Sequence, residues 1–220
     1  MNDFKAATIR AIKAGFDGIE IHGANTYLIQ QFFSPHSNRR NDEFGGSIEK
    51  RFHFIDLLVN EIIKTIKENT KKEFIIGYRL SPEEYEEPGI KFEDTLFLVD
   101  KLSEKHIDYI HLSLTKYNLH SRSVKYSQKS MVDYIYKKIN GRTMLVSVGS
   151  IRSMKDINNA LLNSDLVAIG RPLLTDPYWV SKVENNLLDD IVTKLHQKDC
   201  DKLFINSSFY DFLTNRIDKD

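Results

Sequence analysis

The chain has a single cysteine, Cys200, among 220 residues. One cysteine makes no internal disulfide and no metal site by itself, so the expected compartment is a reducing cytoplasm. Charge of one sign is also missing, because Lys+Arg and Asp+Glu stand at 31 each. No global field attracts nucleic acid or an anionic membrane, and neither is expected as a partner. No apolar run reaches the roughly 18 residues of a membrane span. The first residues, Met-Asn-Asp-Phe-Lys-Ala-Ala, hold no apolar signal-peptide core. The seven histidines are scattered without H-x-x-x-H spacing, so no metal site is expected. There is no G-x-S-x-G elbow for serine hydrolysis and no G-x-G-x-x-G turn after the first strand for a dinucleotide fold.

What is present reads as alternating helices and strands. Asn2 to Ala14 has helical spacing and stops at Gly15. Gly18 to His22 predicts a short strand, and Ala24 to Phe33 a second helix ended by Ser34-Pro35. Residues 36–47 form a polar loop, and 48–66 a long amphipathic helix. Strands follow at 74–81, 108–114, 143–150 and 166–170, with helices at 92–106, 131–139 and 153–162. Ser153 and Asp156 have capping-box spacing. The five strands are short and rich in Ile, Val and Leu, with little alternation, which predicts a parallel sheet buried on both faces. Such a sheet with right-handed crossovers builds an open doubly wound fold or a (β/α)8 barrel. Polar residues close the strands: His22, Arg79, His111, Ser150 and Arg171. In a barrel that edge carries the active site, but a closed barrel needs eight strands.

Three constellations can carry chemistry. His22, Asn25 and Tyr27 follow a strand end at i, i+3 and i+5. His and Asn can donate to a carbonyl oxygen, and Tyr can deliver a proton. The plainer alternative is a strand-end His satisfied by backbone and a half-buried Tyr. Arg79 closes the apolar run Ile75-Ile76-Gly77-Tyr78. It faces either an anionic ligand or electron-rich ring, or a carboxylate such as Glu20 in a structural ion pair. Val148-Gly149-Ser150 and Ile169-Gly170-Arg171 are two consecutive strand-end glycine turns. They suit a phosphate, with backbone N–H groups, a helix end and a guanidinium, or they are ordinary strand-to-helix glycines.

The run GFDGIEIHGANTYLIQQFFSPHSNRRNDEFGGSIEKRFHF resembles the Old Yellow Enzyme family of FMN-dependent NAD(P)H oxidoreductases and ene-reductases. H-G-A-N-x-Y, Q-F-x-S-P and N-x-R-x-D-E-F-G-G-S carry the likeness. IGYRLSP, SVGSI and VAIGRPLLTDP extend it over about residues 5 to 185. The resemblance implies a (β/α)8 barrel with FMN at its mouth, reduced by NADH or NADPH, passing hydride to an activated alkene or related acceptor. On that reading His22 and Asn25 hold a carbonyl or nitro oxygen and Tyr27 gives the proton. Arg79 meets the flavin pyrimidine edge, and Gly149, Ser150, Gly170 and Arg171 grip the FMN phosphate.

The sequence departs from the family in lacking its three earlier strands. The expected fold is therefore a partial TIM (β/α)8 barrel of strands four to eight, spanning 1–185, with a helical tail at 186–220. Such a piece is expected to hold FMN weakly or not at all by itself and to pair with a missing N-terminal barrel segment or with itself. Three readings follow: an oxidoreductase module, a non-catalytic assembly piece of such a barrel, or an unrelated phosphate-binding barrel enzyme. Lack of a strand-end Lys argues against a Schiff-base aldolase.

Overall fold

In a computed structural model, residues 1–217 are described. They fall into two compact units, Met1–Ser150 with Ala160–Val167, and Ile151–Asn159 with the chain from Ala168 on.

The first unit opens with α1 (Asn2–Lys13). Gly15, at φ 83°, ends it. The Gly15 N–H donates to Ile12 O at 3.1 Å and the Phe16 N–H to Ala11 O at 3.2 Å, the paired bonds of a Schellman stop. Then come β1 (Gly18–Gly23), α2 (Leu28–Phe33), α3 (Ile48–Asn69), β2 (Ile75–Leu80), α4 (Phe92–Ser103), β3 (Tyr109–Leu112), α5 (Met131–Ile139) and β4 (Met144–Val148). Ser47 caps α3 by accepting the Lys50 N–H, and Ser130 with Asp133 forms a capping box on α5. α6 (Met154–Ala160), which but for Ala160 belongs to the second unit, and β5 (Leu166–Ala168), which but for Ala168 belongs to the first, follow, with Ser153 and Asp156 bonded reciprocally at the start of α6.

The strands form one five-stranded sheet in the order β1-β2-β3-β4-β5. β1 to β4 pair in parallel, in a register that sets His22 beside Arg79, Arg79 beside His111 and His111 beside Val146. Two carboxylates satisfy strand N–H groups at the entry side. Asp108 accepts from Ile76 N–H and Asp165 from Leu145 N–H, each at 2.7 Å.

Two features differ from the sequence reading. The second helix starts at Leu28, not Ala24, because Asn25 and Thr26 both take left-handed backbone, φ 57° and 63°. Consecutive left-handed residues cannot belong to a right-handed helix. The strands also alternate more than expected. Ile21, Ile76, Tyr78, Leu80, Ile110, Leu112 and Leu145 are buried in a core shared with Ile55, Leu58 and Val59 of α3 and Leu98, Val99 and Leu102 of α4. Each such fully buried aliphatic contributes roughly 1.5–3 kcal/mol relative to exposure. The opposite face carries Glu20, His22, Arg79, Tyr109 and His111, so only one face is apolar throughout these strands.

The second unit holds α7 (Arg171–Thr175), α8 (Trp179–Glu184) and α9 (Ser207–Ile217), with short 3-10 turns at Leu188–Asp190 and Gln197–Asp199. Among the described residues no helix is long and apolar enough to cross a membrane.

Candidate active site on the polar face of the sheet

β1 delivers Glu20 and His22 to the polar face, and the turn after it delivers Asn25 and Tyr27. That turn is built by hydrogen bonds rather than by apolar packing. The Asn25 N–H donates to Ser81 Oγ at 2.9 Å, and the Thr26 N–H to Gln30 Oε1 at 3.0 Å. These bonds offset the cost, about 1–2 kcal/mol per residue, of left-handed backbone at a non-glycine position. Tyr27 is left 62% exposed, its ring 5.3 Å from the His22 ring between centroids. The phenol is therefore open to solvent and to a ligand.

Arg79 stands between β1 and β3. Its Nη2 donates to Ser113 Oγ at 3.2 Å, and Ser113 Oγ lies 2.8 Å from Asn25 Oδ1. The Arg79 Nε is buried and has no hydrogen-bond partner among the described residues. The alternative of a Glu20–Arg79 ion pair is not what forms. Glu20 Oε2 instead accepts from His111 Nδ1 at 2.8 Å, leaving His111 Nε2 buried without a partner. Burial pushes the Glu20 carboxyl up, but the His111 hydrogen bond and charge, the Tyr109 hydroxyl and the nearby Arg79 hold it below its ordinary value. Burial and then the Glu20 charge push the Tyr109 phenol up to about 12. Gly77 makes room for that phenol: a Cβ there would sit 2.1 Å from Tyr109 Cζ.

Two hydrogen-bonded groups, Glu20 with His111 and Arg79 with Ser113 and Asn25, thus gather at the C-terminal half of β1 to β3. Beside them opens a cavity of about 200 Å³ whose lining includes Ser81, Glu83, Tyr85, Ser113, His120 and Arg122. Two buried nitrogens without partners on one sheet face are unusual, since buried polar atoms are nearly always paired. They suit an electron-rich planar edge set against the sheet.

The two glycine turns separate in character. Gly149 has φ 110°, and a Cβ on it would lie 2.6 Å from Leu114 O and Lys116 N. Its carbonyl accepts the Tyr117 N–H at 3.0 Å, and Ser150 Oγ donates to Thr115 O at 3.0 Å. This turn is latched to the loop after β3, so glycine is demanded there by the backbone itself. Gly170 belongs to the second unit, with φ −131° and open space where a Cβ would stand. It precedes Arg171, the first residue of α7. Arg171 lines a cavity of about 100 Å³ together with Arg152, Pro172, Thr175, Trp179 and Val192.

Ser81, Ser113 and Tyr109 escaped the sequence reading as site residues. A faint signal existed: Leu-Ser ends the strand segment twice, at Leu80-Ser81 and Leu112-Ser113. Nothing in spacing alone says that both serines reach the same asparagine.

Comparison with known proteins gives the family and the fold. The family model described as NADH:flavin oxidoreductase / NADH oxidase matches residues 1–190. An NADH:acrylate oxidoreductase of Vibrio harveyi is 46% identical over 188 residues, covering 83% of this chain and 19% of that protein. A probable NADH-dependent flavin oxidoreductase of Bacillus subtilis (strain 168) is 42% identical over 213 residues, covering 96% of this chain and 57% of that protein. Among solved structures, morphinone reductase in complex with tetrahydroNAD shares the fold at TM-score 0.65 and 23% identity, over 94% of this chain and 52% of that one. The chain spans 57% of the Bacillus relative's length and about a fifth of the Vibrio one's. It belongs to the NADH:flavin oxidoreductase / NADH oxidase family.

Proposed function

We propose that this chain contributes the acceptor-binding edge of an FMN-dependent NAD(P)H oxidoreductase that reduces activated alkenes or related acceptors bearing a carbonyl or nitro group. Its five strands correspond to strands four to eight of a (β/α)8 barrel, with 1–185 as the barrel portion, 186–220 as a tail and the remaining strands as the partner it would pack with. The reading places it in the cytoplasm. One observation carries it: the buried, unpartnered Arg79 Nε sits on the same sheet face as His22 and Asn25.

FMN, when bound, supplies the hydride chemistry between NADH or NADPH and the acceptor. Arg79 is suited to hold its pyrimidine edge, because the guanidinium is always charged and its Nε–H lacks an acceptor. His22 and Asn25 orient the acceptor by hydrogen bonds to its oxygen, which gains negative charge during reduction. Tyr27, exposed and beside His22, delivers the proton to carbon. For the FMN phosphate, support for Gly149, Ser150, Gly170 and Arg171 comes from the motif resemblance.

The test joins the chain to the rest of such a barrel, purifies the product with and without added FMN, and follows visible absorbance and NADH or NADPH oxidation with an enone acceptor. Flavin retention and acceptor-dependent turnover support the reading. A chain that, joined to the rest of such a barrel, binds FMN but turns over no acceptor contradicts it.

A further inference from the structure

We propose that Ser113 is a positioning residue that decides which edge of the Asn25 amide faces the acceptor. The inference rests on the oxidoreductase reading above and adds a residue to it. Ser113 follows β3 at its C-terminal end, where its N–H donates to Leu80 O at 2.8 Å. Its Oγ touches two side chains, Arg79 Nη2 at 3.2 Å and Asn25 Oδ1 at 2.8 Å.

The direction of this chain of hydrogen bonds is dictated by Arg79. A guanidinium has donors and no acceptor, so Arg79 donates to Ser113. A hydroxyl has one proton and two lone pairs; Arg79 engages one lone pair, and among the described residues the acceptor in reach of the proton is Asn25 Oδ1 at 2.8 Å. An amide accepts only through its oxygen. The order is therefore Arg79 to Ser113 to Asn25 Oδ1, which leaves Asn25 Nδ2 turned away from Ser113 as a donor. The amide is oriented by the single Ser113 proton, which finds its acceptor in Asn25 Oδ1. A charged first donor also strengthens the bonds that follow.

Ser81 fixes the other half of the same residue by accepting the Asn25 N–H at 2.9 Å. Leu80 and Leu112 are register partners, so the two serines occupy equivalent places at the ends of β2 and β3. Backbone and side chain of Asn25 are thus held from adjacent strands. An acceptor oxygen then meets an N–H rather than a repelling carbonyl, and what engages Arg79 is coupled to what engages Asn25.

The experiment compares Ser113→Ala and Ser113→Thr in the active flavoprotein. Ser113→Ala is expected to raise the acceptor KM about tenfold, the effect of losing one oriented hydrogen bond. Ser113→Thr, which keeps the hydroxyl, is expected to restore it. In an Asn25→Ala background Ser113→Ala should have no further effect; if the two losses multiply, Ser113 acts elsewhere and the proposal is overturned. A second arm needs no turnover. In the ¹⁵N-labelled 220-residue chain, the Asn25 side-chain amide signals are expected to move in Ser113→Ala and to persist in Ser113→Thr. Unmoved signals in Ser113→Ala overturn the positioning role even if the oxidoreductase reading stands. Shifted signals, together with no oxidation of NADH or NADPH when the chain is joined to the rest of such a barrel, support the relay and sink that reading instead.

Discussion

Arg79 and His111 are register partners on neighbouring parallel strands, and each keeps one buried nitrogen, Nε and Nε2, without a hydrogen-bond partner among the described residues. Arg79 Nη2 is committed to Ser113 and His111 Nδ1 to Glu20. The strands thus hold two polar groups rigidly from behind while leaving one nitrogen of each for something set against the sheet. Rigid support of this kind is what a preorganised binding site requires.

The Glu20–His111 pair gives a pH dependence with a definite sign. The Glu20 carboxyl is held below its ordinary value of about 4.3. A depressed carboxylate contributes stability that is present above the unfolded value and lost as pH falls through the folded one. Between about pH 5 and pH 3 the wild type should lose stability that Glu20→Gln does not. Glu20 is partly exposed, so after solvent screening the difference is under about 1 kcal/mol. Urea midpoints across this range check it, and superimposable pH profiles would remove the assignment.

Tyr27 is expected to act after hydride transfer and not before it. Tyr27→Phe should slow acceptor reduction by roughly 10²–10⁴-fold, the usual worth of a positioned proton donor. Flavin reduction by NADH or NADPH should be intact. Stopped-flow separation of the two half-reactions measures this, and equal losses in both contradict the role.

Glu84 is buried and accepts from three donors on two segments. Gln30 Nε2 and Ile90 N–H lie 2.7 and 2.9 Å away, and Ser34 Oγ is the third. It fastens α2 to the loop after β2. Glu84→Ala leaves all three donors unpaired in the interior, so a loss of about 3–5 kcal/mol is expected. Chemical denaturation checks this; a loss below about 1 kcal/mol would show that water replaces the carboxylate.

At Gly149 the expected cost comes from the backbone. Gly149→Ala forces an alanine to φ 110° and presses a Cβ against Leu114 O and Lys116 N. A destabilisation of at least about 2 kcal/mol is expected. Gly170→Ala, in open space at φ −131°, should cost less than about 1 kcal/mol in the same thermal unfolding measurement. Similar costs at both positions would contradict this division.

Much of the fold was legible because it is written in local chemistry. Gly15 stops α1, Ser130 and Asp133 start α5, and the Ile, Val and Leu runs at 75–80 and 144–148 make strands wherever they are buried. The motif from His22 to Tyr27 pointed to the proposed acceptor edge, and Arg79 stood out because a charged residue ends an apolar strand. What the sequence could not decide was which partner each polar residue would choose. Glu20 pairs with His111, 91 residues away, rather than with Arg79, and Ser113 reaches Asn25 across 88. Those choices follow from the register of parallel strands, which places distant residues side by side. Left-handed backbone at Asn25 and Thr26 was likewise hidden, since its cost is offset by Ser81 and Gln30, which folding alone brings near. Local propensity fixed where the elements begin and end; the alignment of β1, β2 and β3 fixed which nitrogens of Arg79 and His111 were left without a partner.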